Sequence, residues 1–325
     1  MDYNLSHEEG NGTIFACQHF DFSIITGYLF IIITIISIIG NIILMWVLLT
    51  FKKLNLVTKI FMMNLACSDL IFALTLPFWA TYHLKHWIFG DFLCKFIIAM
   101  YFTGMYSSII CLTAMSVDRF FIVVLKNWPN NDRRKKTCTI CVCVATWVIS
   151  IGTSVYDASK VKFYDDYYHC ESSHSEGPGY DIQVVLLFFI PFAILIFCHC
   201  AIIGTILQAT NRSRHRALTI VFFIVVAYII CWGPYNVYLL IESWYQPKTC
   251  DAFQQLDIGY NICRLLAFSH CCMNPLLCLL IQKLRNHLFC LLRCRAVDEN
   301  NRDRAHYLKM SEPVNATSVQ LVTLG

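Results

Sequence analysis

The sequence predicts an all-α membrane protein: a bundle of seven membrane-spanning helices with a short amphipathic helix after the last one. Three observations predict it, namely an apolar composition, seven long apolar segments, and Lys and Arg gathered on one side of those segments. Of the 325 residues, 57% are apolar and only 14% are charged, whereas a soluble domain carries about 25% charged residues. A lipid bilayer is the solvent that suits so much apolar surface.

Each apolar segment reaches or exceeds the roughly 20 residues that a helix needs to cross the hydrocarbon layer. Several contain Pro or Gly, which membrane helices tolerate because neighbouring groups satisfy the freed backbone atoms. The predicted spans are 24–50, 58–83, 93–123, 137–157, 182–207, 217–243 and 254–281.

Lysine and arginine predict the orientation, since they accumulate in cytoplasmic loops. They cluster after spans 1, 3, 5 and 7, whereas the residues before span 1 and after span 4 are acidic. The N-terminus is therefore predicted to be extracellular, and the basic loops lie against anionic lipid rather than marking a nucleic-acid site. The predicted units are an acidic outer arm (1–23), the bundle (24–282), a membrane-surface helix (283–294) and a cytoplasmic tail (295–325).

Most of the 18 cysteines lie within the spans, where we expect them to pack as small apolar residues. Four lie on the outer, oxidising side, which implies two disulfides and allows three pairings. A bridge from Cys94, at the start of span 3, to Cys170 would tie the loop after span 4 over the bundle. Cys17 and Cys250 would then join the N-terminal arm to the last outer loop.

Polar residues inside lipid are costly, so each needs a reason. The polar, Trp and Pro positions form an ordered series along the spans: Gly40-Asn41, Leu65 to Asp69, Asp118-Arg119-Phe120, Trp147, Pro191, Cys231-Trp232-Gly233-Pro234 and Asn274-Pro275. Together they resemble the rhodopsin-like family of G-protein-coupled receptors over nearly the whole chain. The segments 75–79 and 90–95 and the second outer cysteine pair resemble the chemokine receptors of that family. The segments 225–228, 232–236 and 263–272 resemble the XC branch of the chemokine receptors.

The resemblance implies that a chemokine, a small basic protein, binds to the acidic outer face. Tyr3 follows an aspartate and is a candidate for sulfation, while Asn4 and Asn11 begin N-glycosylation sequons. Arg264 stands where many chemokine receptors carry Glu, and it contacts either the ligand or an acid such as Glu242. The candidate ligand contacts are Tyr3, Glu8, Glu9, Trp79, Tyr101, Asp165, Asp166, Glu171 and Arg264.

On the inner side, the resemblance implies that Arg119 engages an inhibitory-class G protein and that Asp118 restrains it at rest. Activation would move span 6 outward around Pro234, with Trp232 beneath the ligand cavity. No cofactor is implied, but the resemblance implies a sodium ion as an allosteric ligand, because oxygen ligands suit a hard cation; its ligands would be Asp69, Ser108, Asn41 and Asn274. Phosphorylation sites are sparse in the tail, so arrestin recruitment is expected to be weak.

Two positions depart from the family pattern. Span 7 reads Asn274-Pro275-Leu-Leu-Cys278 where the family has NPxxY, and His199 replaces the usual tyrosine of span 5. Because cysteine cannot bond as a phenol does, these two residues would form a weak contact or none. A chemokine scavenger, or a diverged or virally captured receptor with weak ligand control, is therefore the alternative to a signalling receptor.

Other classes of membrane protein fit less well. A retinal pigment needs a lysine in span 7, and 254–281 contains none. Neither an inverted repeat nor a ring of pore charges suggests a transporter or channel. The sequence shows no nucleophile–base pair of an enzyme.

Overall fold

Seven long helices form the described part of the chain, in agreement with the predicted bundle. The computed structural model describes residues 22–51, 54–125, 132–164, 169–172, 189–207, 212–245, 249–279, 285–286 and 288–290. The helices are α1 (Ser23–Thr50), α2 (Leu56–Leu84), α3 (Gly90–Phe120), α4 (Asp132–Ser159), α5 (Ile190–Leu207), α6 (Arg212–Trp244) and α7 (Cys250–Leu279). A π-helical segment, Phe121–Leu125, directly follows α3.

Several helices extend beyond the apolar segments that predict them. Helix α4 begins at Asp132 and α6 at Arg212, in each case five residues before the expected apolar start. A helix satisfies its own backbone hydrogen bonds, so it can continue into polar surroundings where apolarity no longer marks it. Asn55 caps the start of α2, where its side chain accepts a hydrogen bond of 3.0 Å from the backbone N–H of Val57.

The distribution of side chains is that of a membrane protein. Large apolar residues of α1 lie on its outer surface, such as Ile35 and Ile39, whereas Asn41 and Asp69 are buried in the bundle. By length and composition, α1 to α4 are able to cross a bilayer, and shorter apolar segments of α5 and α6 cover Ile190–Thr205 and Val225–Ile241 among the described residues.

The motifs of the first and last spans pack against each other. Pro275 lacks an N–H, so it leaves the carbonyl of Cys271, four residues earlier, without its helical donor. Ser37 Oγ and Asn41 Nδ2 of α1 donate to that carbonyl over 3.1 and 2.9 Å. A Cβ on Gly40 would stand 2.8 Å from Cγ of Pro275, so only glycine permits this approach of α1 to α7.

A two-stranded antiparallel sheet, which the sequence did not predict, lies in the loop after α4. Strand β1 (Val161–Tyr164) pairs with β2 (His169–Ser172), with Phe163 opposite Cys170. Cys170 is bonded to Cys94 of α3, with their Cα atoms 5.7 Å apart, which confirms the expected disulfide. Cys250 is also disulfide-bonded, while Cys17, its expected partner, lies outside the described residues.

The predicted terminal units fall largely outside the described residues. Residues 285–286 and 288–290 are helical, within the range expected for the membrane-surface helix. The N-terminal arm and the cytoplasmic tail lie outside the described part of the chain, so the boundaries drawn for them stay predictions.

Candidate functional site

Aromatic side chains gather in the outer half of the bundle, where α2, α3 and α7 meet. Tyr101 is buried, and its ring centroid lies 6.2 Å from that of Trp79 and 5.5 Å from that of Phe268. The Thr75 hydroxyl donates to the carbonyl of Phe72 over 2.7 Å, one turn before Pro77. Thr75 stands two residues before Pro77, and a bond of this kind to the preceding turn is one that Thr side chains form within helices.

Arg264 belongs to the same region, so three predicted ligand contacts lie together: Trp79, Tyr101 and Arg264. Its Nη1 atom lies 3.1 Å from Nε2 of His83 on α2. Sequence reasoning missed His83, whose place in the last turn of span 2 was the available signal. Glu242, the acid expected beside Arg264, has a side chain outside the described ones.

The side chains of the acidic candidates of the outer face lie outside the described ones. Glu171 falls on β2, but its side chain is not among those described. No placement is therefore assigned to the remaining candidates of the arm and loop: Tyr3, Asn4, Glu8, Glu9, Asn11, Asp165 and Asp166.

Trp232 lies deeper in the bundle and is almost fully buried. Its ring centroid is 6.2 Å from that of Phe72 on α2 and 6.4 Å from that of His270 on α7. Asn236 Nδ2 donates to the Trp232 carbonyl over 2.8 Å, across the turn of α6 that contains Pro234. Trp232 belongs to α6, so it connects that helix to the aromatic side chains of α2 and α7.

A polar cluster occupies the middle of the bundle around Asp69. Its carboxylate accepts hydrogen bonds from Asn274 Nδ2 at 2.6 Å and from Ser108 Oγ at 3.3 Å, so α2, α3 and α7 meet there. The Oδ1 atom of Asn274 is buried without a hydrogen-bond partner. These oxygens are ligands of the kind that a hard cation takes. The expected fourth ligand, Asn41, donates its amide N–H groups to Ser37 and Cys271, while its Oδ1 atom, like that of Asn274, is buried without a hydrogen-bond partner.

Arg119 lies at the inner end of α3, beside Asp118. Its Nε atom is 3.9 Å from Oδ2 of Asp118, within ion-pair range, but neither of these two atoms has a hydrogen-bond partner. The hydrogen bond goes instead from Arg119 Nη2 to Thr58 Oγ1 in the first turn of α2. Thr58 therefore restrains Arg119 together with Asp118, a role that no motif in the sequence indicates.

His199 contacts α3. Its Nε2 atom lies 3.1 Å from Ser116 Oγ, and both residues are buried. Cys278 falls on α7 with a side chain outside the described ones, so its expected weak contact with His199 stays a prediction.

Comparison with known proteins adds to this geometry. Residues 40–277 match the family of seven-transmembrane receptors of the rhodopsin type. The chain is 37% identical to chemokine XC receptor 1 of Homo sapiens over 277 aligned residues. This alignment covers 82% of this chain and 81% of that protein. It is 36% identical to chemokine XC receptor 1 of Mus musculus over 272 aligned residues, and this alignment covers 82% of each protein.

Proposed function

Since this chain belongs to the rhodopsin family of seven-transmembrane receptors and is one of its chemokine receptors in the plasma membrane, we propose that it binds a basic XC chemokine and activates an inhibitory-class G protein. The similarity to two XC receptors over 82% of the chain carries this proposal. The family is one of receptors and not of enzymes.

Charge on the outer face supports a basic ligand. The first 23 residues contain four acidic residues and no Lys or Arg. Such an arm attracts a basic chemokine over a distance, which raises the association rate and selectivity more than the affinity. Sulfation of Tyr3 would add to this negative charge. Trp79, Tyr101 and Arg264 are then contacts for the part of the ligand that enters between the helices.

Trp232 supports transmission from the ligand to the inner face. Its ring lies below the aromatic cluster and packs near residues of α2 and α7. Pro234, two residues further along α6, weakens the backbone of that helix, which suits a pivot. A ligand that displaces Trp232 would therefore tilt the inner half of α6 outward.

Arg119 supports coupling. In this conformation Asp118 and Thr58 hold its guanidinium at the inner end of α3. Neither contact is a closely paired salt bridge, so releasing Arg119 costs less than breaking such a bridge would. A small difference in free energy between the two states lets a bound chemokine shift their populations.

We also propose that sodium binds at Asp69, Ser108, Asn274 and Asn41 in the resting state. A bound cation would compensate the buried charge of Asp69 and use the unpaired Oδ1 of Asn274. Because these four residues come from α1, α2, α3 and α7, the ion would stabilise the packing seen here and oppose activation.

The test is chemokine binding and cAMP measurement on cells that display the full chain. We expect a fluorescent XC chemokine to bind, and to lower forskolin-stimulated cAMP in a manner that pertussis toxin abolishes. Arg119→Gln should keep binding and lose the cAMP response. Arg133→Gln, which alters an exposed arginine at the start of α4, is the matched control and should retain both.

A chemokine scavenger is the second candidate, favoured by His199 in place of the family's tyrosine. For a scavenger, the same cells would bind and internalise the chemokine with no change in cAMP. That result would overturn the signalling proposal, whereas absence of binding to every chemokine would overturn both.

A further inference from the structure

Arg264 is held in a box of aromatic rings in the outer half of the bundle. Its guanidinium carbon lies 5.3 Å from the ring centroids of Phe30 and Phe268, and 5.7 Å from those of Trp79 and Tyr260. These rings come from α1, α2 and α7. Cation–π attraction from several sides restricts the side chain of Arg264, so its planar group is pre-organised for a partner.

Within the described part of the chain, most of the donors of this guanidinium have no assigned acceptor. It carries five N–H groups, and the described structure assigns one acceptor, His83 Nε2, at 3.1 Å. A guanidinium group has only donors, so Arg264 donates and His83 accepts through an unprotonated Nε2. A neutral ring therefore takes the place that a carboxylate would normally occupy.

Among the described residues, Arg264 has no acidic partner. The ion pairs that the described residues form join Lys95 to Asp91 and Arg119 to Asp118. A half-buried cation without a counter-charge is costly inside a membrane protein and marks a functional position.

Trp79 adds a second unsatisfied donor to the same cluster. Its indole N–H is buried and has no hydrogen-bond partner. Its ring lies against both Arg264 and Tyr101. Among the described residues, the box therefore contains a fixed positive charge and an unpaired N–H donor, and its one assigned acceptor is the neutral His83 rather than a carboxylate. Such a set of groups is the complement of an anion.

We propose that Arg264 and the rings around it form a subsite for a carboxylate borne on an apolar or aromatic stem. The planar fork of arginine matches a carboxylate in bidentate geometry, and the aromatic walls suit the stem. This rests on the proposed function in that the carboxylate belongs to the ligand that enters between the helices. It departs from the simple expectation that only basic groups of the chemokine are recognised.

Two small probes test the charge requirement directly: benzoate and its neutral isostere benzamide. The full chain is reconstituted in lipid nanodiscs, and saturation-transfer NMR measures both affinities. We expect benzoate to bind at least about tenfold more tightly than benzamide, as for a charge-assisted, bidentate contact. The preference should vanish in Arg264→Gln and fall only partly in Arg264→Lys, which keeps the charge but loses the fork.

Trp79→Phe and Lys95→Gln complete the set. Trp79→Phe keeps an aromatic ring and removes the indole N–H, so the benzoate preference should fall severalfold. It also remains informative if Arg264→Gln does not fold. Lys95→Gln removes an exposed lysine already paired with Asp91 and should leave the preference unchanged.

Equal affinity for the two probes in the wild type would overturn the proposal. A benzoate preference that persists in Arg264→Gln would overturn it as well. Tighter benzoate binding by Glu242→Gln would also do so, because Glu242 would then be the native partner and the pair would be structural.

Chemokine binding by the same nanodiscs distinguishes this failure from failure of the proposed function. A preference for benzoate without chemokine binding would support the carboxylate subsite and overturn the proposal that the receptor binds a chemokine. Competition between benzoate and bound chemokine would assign the carboxylate to the protein ligand. Simultaneous binding of both would assign it to a free carboxylic acid.

Discussion

The imidazole Nε2 of His199 lies 3.1 Å from the hydroxyl oxygen of Ser116, and this contact joins α5 to α3 inside the bundle. Ser116 Oγ also lies 2.9 Å from the carbonyl of Leu112, to which it donates. A hydroxyl has a single hydrogen, so His199 donates from Nε2 and carries its proton there. His199 stands where the family has a tyrosine. Its Nε2–H donor is thus already bonded to Ser116 in the conformation in which Asp118 lies beside Arg119.

His199→Phe should raise basal signalling. The substitution keeps an aromatic ring and removes a hydrogen bond whose net contribution is about 0.5–1.5 kcal/mol. If the bond belongs only to the resting state, the active population rises about two- to tenfold. Basal inhibition of cAMP, normalised to surface receptor, measures it.

Ser116→Ala removes the same contact from the other helix and serves as the matched variant. It should raise basal signalling by a similar factor, and the double variant should add little more, because both changes remove one interaction. Unchanged or lower basal signalling in all three variants would show that the contact does not hold the resting state.

Asp69→Asn should abolish the sodium sensitivity of chemokine binding. The proposed sodium ion at Asp69 would stabilise the resting state of the wild type, so replacing an organic cation by sodium at constant ionic strength should weaken binding about fivefold or more. Asn274 and Ser108 donate to the Asp69 carboxylate, and the amide lacks its charge.

Asp91→Asn is the control for that experiment. Asp91 is exposed and forms a surface pair with Lys95, of the kind that contributes little. Its sodium response should equal that of the wild type. A wild type without any sodium response would remove the sodium site from the mechanism.

Cys94→Ser should reduce chemokine binding per surface receptor while the spans still insert. The disulfide links residues separated by 76 positions, and loss of such a link costs up to about 4 kcal/mol in a soluble chain. Here the membrane retains the helices, so the loss falls mainly on the sheet of β1 and β2. Cys141→Ser, at an exposed position of α4, should bind normally; equal binding by both variants would contradict this role.

The sequence predicted the helices and those contacts whose residues belong to family motifs or to the outer cysteines. Apolar length predicted each helix, and the family motifs predicted that Asp69, Ser108 and Asn274 would meet. The Cys94–Cys170 bridge was also expected, since the outer cysteines allow few pairings.

The contacts of Arg119, His199 and Arg264 were not predictable in the same way. Thr58, Ser116 and His83 become partners only through the rotation and depth of a second helix. No periodicity reports those quantities, because every apolar face is compatible with lipid. The two strands after α4 were missed because their loop is short of alternating apolar residues and is stabilised from outside by the disulfide to α3.

Gly104→Ala should destabilise the receptor at the contact between α2 and α3. An added Cβ would stand 2.7 Å from the backbone nitrogen of Phe72 and 2.9 Å from the carbonyl oxygen of Ser68. Backbone atoms cannot rotate away, so the helices must separate, at a cost of about 1–3 kcal/mol. Thermal unfolding in detergent, followed with a thiol-reactive dye, should show a lower midpoint.

Gly152→Ala is the matched control, since a Cβ there meets nothing within 4 Å. Alanine favours a helix over glycine by about 1 kcal/mol, so its midpoint should stay constant or rise. Separation of α2 from α3 by Gly104→Ala would also lengthen the 3.3 Å contact of Ser108 with Asp69. Sodium should then protect Gly104→Ala from heat less than it protects Gly152→Ala, and equal protection would mean that the close approach at Gly104 does not support the Asp69 cluster.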